Sequence, residues 1–221
     1  MTRLGVRKIL LKAGSVAVLT AVGAGAVSTA KAQAVVVTFD DLGSGSGLIA
    51  DGYQGLDWDK FAFLDTTDYP YPKAGYVNGT VSKTNVALNI SGNPATVSTK
   101  SGNFDFNSAY LTAAWNNGLN ILVEGFSGGT KNYSQTVIVD ITSPTLFNFN
   151  FLGIDNLKFT SFGGTDAPYG DNGKQFALDN FTYNSKPVPE PLTILGSLTA
   201  TGFGVALRRK YKQQQKVTTK A

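Results

Sequence analysis

The residues able to do chemistry here are almost all oxygen-bearing: 15 Asp and Glu, 9 Tyr, and no His or Cys. Without imidazole or thiol, Ser-His-Asp and Cys-His nucleophile systems are impossible within this chain. Zinc sites built on those ligands are excluded too, and any bound metal would be a hard, oxygen-liganded ion such as calcium. Two segments suit such an ion: Phe39-Asp40-Asp41 near the start of the chain and Asp179-Asn180 near its end. If the first and last strands lie side by side, Asp40, Asp41 and Asp179 could share a structural Ca2+ with backbone carbonyls and an Asn oxygen. The other reading makes Asp40 and Asp41 a turn cap and leaves Asp179 facing solvent.

A second chemistry is sugar recognition. The segment 65–80 (DTTDYPYPKAGYVNGT) sets Tyr69, Tyr71 and Tyr76 among prolines and glycines. Exposed rings can stack on the apolar faces of sugars while nearby Asp and Asn bond hydroxyls. Tyr169, with Asp166, Asp171 and Asn172, repeats that composition. The competing reading is tyrosine packing within its own loop. A glycosidase needs two carboxyls at a set separation, one with a raised pKa. Asp57, Asp59, Asp140, Asp155 and Glu124 are available, but their spacing singles out no pair, so the expectation is a non-enzymatic protein. The glycine-rich stretch 43–47 lacks the Lys-Ser/Thr of a phosphate loop and reads as a flexible loop.

These residues need a scaffold, and the charge distribution shows where it lies. The formal net charge is +4, but 11 of the 19 basic residues fall in 1–34 and 192–221. Residues 35–191 hold eight basic residues and all 15 acids, a net charge of −7. An acidic body repels phosphate backbones, which excludes nucleic acid as a partner. Within 35–185 the apolar pattern has period two, broken by Gly, Asn and Ser. Nine strands are expected: 35–39, 56–63, 86–90, 104–114, 120–126, 135–141, 146–152, 156–162 and 176–184. Val137, Val139 and Ile141 share one face, as do Phe147, Phe149 and Phe151. The expectation is an all-β, two-sheet, jelly-roll-like β-sandwich, with an immunoglobulin-like sandwich second.

The ends read as address and anchor. Residues 1–34 resemble a signal peptide: four basic residues, the uncharged run 13–30, then small-residue cleavage patterns ending at Ala34. At the other end Pro189, Glu190 and Pro191 close a linker, 186–191, and precede the uncharged stretch 192–207 (LTILGSLTATGFGVAL). As a helix that stretch reaches about 24 Å, somewhat less than a bilayer core of roughly 30 Å. Arg208, Arg209 and Lys210 begin a basic tail, 208–221, that would stay cytoplasmic. The span 186–210 resembles the PEP-CTERM sorting signal throughout: Pro-Glu-Pro, short apolar helix, basic end. The tail after Lys212 is longer than that pattern, and polar. The resemblance implies an exosortase-type processing enzyme as partner, cutting near Pro189–Pro191. It also implies membrane attachment through the C-terminal helix before processing, and an association with extracellular polysaccharide or biofilm, so the expected role is structural or adhesive, with a carbohydrate-binding module second and a glycoside hydrolase last. The body from 104 to 184 resembles, more loosely, that of cyanobacterial-type PEP-CTERM proteins.

Intact-mass analysis of surface-extracted protein should therefore report two truncations, after Ala34 and near Pro189. Finding the full-length, tail-retaining chain freely soluble in the cytosol would end the export reading.

Overall fold

The computed structural model describes residues 34–168 and 173–185, so the leader, linker, apolar stretch and basic tail lie outside the described residues. The described part is antiparallel β-sheet throughout, as the alternation demands. Its strands are β1 (Ala34–Val37), β2 (Ser46–Leu48), β3 (Asp57–Asp59), β4 (Phe61–Asp65), β5 (Asn85–Asn89) and β6 (Ala95–Ser98). The longer ones follow: β7 (Phe104–Ala113), β8 (Asn116–Ser127), β9 (Thr130–Val139), β10 (Thr145–Ile154), β11 (Asn156–Asp166) and β12 (Phe176–Ser185). One short helix, α1 (Gly75–Asn78), interrupts them. Among the described residues no helix is long and apolar enough to cross a membrane.

The strands form two sheets. The seven-stranded sheet runs β10-β7-β12-β5-β4-β2, with β1 also on β12; the five-stranded sheet runs β3-β6-β11-β8-β9. The first and last strands do lie side by side, Ala34 opposite Asn184 and Val37 opposite Phe181. β12 therefore carries two partners along one edge, β5 opposite Ala177 and Leu178 and β1 opposite 181–184. Two expectations change. The single strand expected over 56–63 is split at Lys60, which turns left-handed (φ 59°) and sends β3 and β4 to different sheets. The stretch 43–47 is not wholly loop, because Ser46 and Gly47 pair with Leu64 and Phe63 as part of β2.

Between the sheets lies an aromatic core. Phe106 is stacked between Phe149 (4.8 Å) and Phe181 (4.7 Å), both at 21°. Trp58 meets Phe39, Phe61 and Phe181 edge-on at 5.3–5.5 Å, and edge-to-face rings gain energy beyond their buried area. Phe149 and Phe151 are buried and Phe147 packs against the same core, as their alternation implies. Val137, Val139 and Ile141 are buried as well, while Ile138 between them is 64% exposed.

Phe106→Ala should cost about 3–5 kcal/mol, because neighbours fixed by stacking on both sides collapse poorly into the void. Urea denaturation should show a lower midpoint at unchanged slope; a loss below about 1 kcal/mol would mean that the core is more pliable than its packing implies.

Candidate binding groove on the tyrosine-bearing face

Two grooves are candidates, and internal hydrogen bonding separates them. The first is a polar cleft of about 580 Å³ lined by Thr38, Asp40, Asp41, Tyr53, Gln54, Ser82, Lys83 and Val36. It holds two of the three carboxylates proposed for calcium, Asp40 and Asp41. Asp179 lies behind Ser82 and is 0% exposed. Its Oδ2 accepts from the Val81 and Ser82 amides (2.7 and 2.8 Å), its Oδ1 from the Ser82 hydroxyl (3.0 Å) and the Asn180 amide (2.6 Å). Asp40 Oδ1 accepts from the Thr84 and Asn85 amides. Asp41 accepts from the Tyr53 hydroxyl at 2.5 Å on Oδ1 and from the Gln54 side-chain Nε2 at 3.3 Å on Oδ2.

Those donors stand where a cation would have to sit. Calcium needs six to eight oxygens, and here N–H and O–H groups already point at both oxygens of Asp41 and of Asp179. Among the described residues no group of three or more acidic side chains is placed to hold a metal. The shared Ca2+ expected on Asp40, Asp41 and Asp179 has no such group behind it among the described residues. These residues form a structural network. Turn capping is the role of Asp40 and Asp41, whereas Asp179 is buried, not solvent-facing.

The network is built on strain. Phe39 and Gln54, both non-glycine, adopt left-handed backbone (φ 64° and 50°), a costly conformation for a bulky ring. The buried Phe39 ring against Trp58, and a hydrogen bond from the Tyr183 hydroxyl to the Gln54 carbonyl, hold them there.

The second groove lies on the outer face of the larger sheet. On that face Val86, Ala177, Leu64 and Leu88 form a small separate core with Ala74, Tyr76, Ala114, Trp115 and Tyr69. The loop after β4 folds down onto it. Gly75 makes this possible, since a Cβ there would stand 1.6 Å from the Ala113 carbonyl oxygen. Its amide instead donates to the Ala114 carbonyl at 2.9 Å. Asn78 Nδ2 ties the helix to the Ile141 carbonyl at 2.8 Å.

The tyrosines expected to stack on sugar stack first on each other. Tyr69 meets Tyr71 and Tyr76, and both of those meet Trp115, each of these four contacts edge-to-face with centroids 5.6–5.8 Å apart. Tyr76 is 5% exposed and belongs to the small core, so it offers little ring surface for a sugar to stack on. Tyr71 is 39% exposed, and Tyr69 is half-buried where its loop meets the sheet. Tyr169, Asp171 and Asn172 lie outside the described residues.

What this packing creates is a groove running from β5 across β4 to β2. Its apolar part, about 420 Å³, is floored by Leu48, Ala62, Phe63, Leu64 and Leu88, with Tyr69 and Tyr76 as its wall. It shares Ser46, Leu64 and Tyr69 with a polar part of about 340 Å³ that ends at Asp65, Asp68 and Ser44. The Thr67 amide (3.0 Å) and hydroxyl (2.7 Å) both bond Asp65 Oδ1 and hold its carboxyl below the usual range. Leu48 is 74% exposed. Sequence reasoning missed it because Ser46-Gly47-Leu48 is too short, and too glycine-rich, to read as a strand. An apolar floor beside hydroxyls and an ionised carboxylate suits a ligand with one apolar face and a hydroxylated rim.

No protein-family model matches the chain, and no curated protein matches it. Solved structures similar to it are distant. One is a DUF4465 family protein from Bacteroides ovatus, 12% identical, covering 69% of this chain and 89% of that one, TM-score 0.43. Another is a family 29 carbohydrate-binding module, 14% identical, covering 73% and 99%, TM-score 0.38. A third is the family 11 module of a Clostridium thermocellum cellulosomal cellulase, 9% identical, covering 73% and 99%, TM-score 0.37. Likeness at this distance transfers no ligand, and the groove's own residues must carry the functional reading.

The polar network makes a pH prediction. Burial would raise the Asp40 pKa, but the Thr84 and Asn85 amides outweigh it and lower it below 3.8. A depressed carboxylate stabilises the fold above 3.8, and that contribution is lost as pH falls through the folded value. Asp179 has the opposite sign: burial outweighs its donors and raises its pKa, so its own contribution is lost as pH rises through that raised value. Asp40→Asn should therefore cost about 1 kcal/mol at neutral pH, and its gap to wild type should narrow in urea titrations as pH falls below the ordinary Asp value of 3.8. A gap independent of pH would sever Asp40 ionisation from folding.

Proposed function

We propose that this chain is an exported surface protein whose jelly-roll-like sandwich binds extracellular polysaccharide in the groove between β2, β4, β5 and the tyrosine loop. Binding, not catalysis, is the activity. The observation that carries this reading is the groove itself: apolar residues and tyrosine side by side, opening onto serine hydroxyls and carboxylates. A sugar ring has the same two-sided character. Its C–H face excludes water against Leu48 and Tyr69, and its hydroxyls meet Asp65, Asp68, Ser44 and Ser46. Small, well-oriented polar sets beside apolar walls are the usual make-up of ligand sites. The polar cleft on the β1 side supports binding less well, because both oxygens of Asp41 and of Asp179 are already bonded internally.

Export and sorting complete the proposal. The leader at 1–34 would take the chain out of the cytoplasm. Pro189-Glu190-Pro191, the apolar stretch 192–207 and Arg208, Arg209 and Lys210 would present it to an exosortase-type enzyme at the membrane. The sandwich would then be delivered to the cell envelope or its surrounding matrix, where polysaccharide is the abundant partner and an adhesive role follows from binding it.

Leu48→Asp tests the groove at a position exposed enough to leave folding intact. It should weaken polysaccharide pull-down at least tenfold with an unchanged melting midpoint, and Tyr71→Ala should weaken it less. Pull-down unaffected by Leu48→Asp would remove the groove from the proposal.

A further inference from the structure

We propose that the polysaccharide held in this groove carries free amino groups, as a deacetylated glucosamine polymer does, with an ammonium seated between Asp65 and Asp68. The inference rests on the glycan-binding reading above and narrows it to one sugar class.

The charge around the groove is one-sided. Asp65 and Asp68 line its polar end, and no lysine or arginine lines either stretch among the described residues. Asp68 is exposed, and Asp65 is fixed by its two bonds from Thr67. Pro70 and Tyr69 lie beside Asp68, so the same segment supplies both the stacking ring and the anion. A uronic acid polymer would bring its carboxylates against these two and be repelled. A neutral sugar would be tolerated without using either charge. An amino sugar matches all three features: a C–H face for the floor, hydroxyls for Ser44 and Ser46, and a cation for the carboxylates.

The body around the groove supports the same sign. With a net charge of −7 over residues 35–191, it raises the local concentration of polycations and lowers that of polyanions. The general field and the groove must therefore be separated by experiment. Asp59 serves that purpose, being exposed on β3 of the opposite sheet. Removing it changes net charge as much as removing Asp68 does.

The test is calorimetry on the full-length protein with soluble β-linked glucosamine oligomers and their fully N-acetylated counterparts, at low and physiological ionic strength. Exposed ion pairs are individually weak, so the expected preference for the free amine is about tenfold at low salt, narrowing at physiological salt. Asp68→Asn and Asp65→Asn should each reduce that preference several-fold without weakening the acetylated oligomer, while Asp59→Asn leaves it unchanged. Equal affinity for both oligomers overturns the amine assignment and leaves glycan binding standing. A preference reduced equally by Asp59→Asn assigns it to bulk charge and overturns the site. Failure to bind either oligomer overturns this inference, and glycan binding falls with it only if pull-down is also insensitive to Leu48→Asp.

Discussion

β12 has to satisfy two neighbours along one edge, and Asp179 sits where they change over. β5 pairs with Ala177 and Leu178, β1 pairs from Phe181 onward, and at the same level the ladder to β7 on the other edge shifts register. A gap in a central ladder would leave amides buried without acceptors, at about 1–3 kcal/mol each. The Asp179 carboxylate fills that gap from the side, receiving Val81 and Ser82 where a neighbouring strand would have supplied carbonyls. Asn180 takes left-handed backbone (φ 48°) to let it do so. Asn85 completes the joint, donating to the Phe39 and Gly43 carbonyls at 3.0 and 2.9 Å. One buried carboxyl group thus secures the closure of the chain's two ends into a single sheet.

That closure sets up everything on the outer face. With Val81 and Ser82 pinned to Asp179 of β12, the segment before them crosses the sheet, and α1 packs its Tyr76 with Val86 and Ala177. The tyrosine loop is then a second layer instead of a free flap. Its rings spend much of their surface on each other and on Trp115, and what remains frames the groove. The same physics that buries Tyr76 exposes the side of Tyr69 that faces β2. Ring packing and ligand wall are two faces of one arrangement.

The long strands were legible because their alternation runs far enough to be unambiguous. Val137, Val139 and Ile141 show it against Thr136 and Asp140, although Ile138 on the outer side is itself apolar, and Phe147, Phe149 and Phe151 show it despite the left-handed Asn150 (φ 52°) between them. Juxtaposition of the first and last strands entered only as a condition of the calcium reading, because apolar character alone does not say which strands pair. The short strands were not legible. β2 and β6, with three and four residues, carry too few alternations to stand out from the turns around them. The roles of the acids were the hardest to read. Asp179 looks in sequence like any carboxylate on a strand, and only the register change at β12 explains its burial. Tyr76 and Tyr71 are five residues apart in similar surroundings, yet the helix turn started by Gly75 buries one and leaves the other at the surface.

The position of β12 also has a mechanical meaning. Chain continuing past Ser185 leaves from a strand with β7 on one side and β1 and β5 on the other. Tension transmitted through that exit acts along the strand axis, perpendicular to the ladder hydrogen bonds on both flanks. Such bonds are loaded in shear and must fail together, whereas an edge strand pulled sideways would be peeled off one bond at a time. A domain tethered from this strand can hold a load applied elsewhere on its surface without opening from the tether inward.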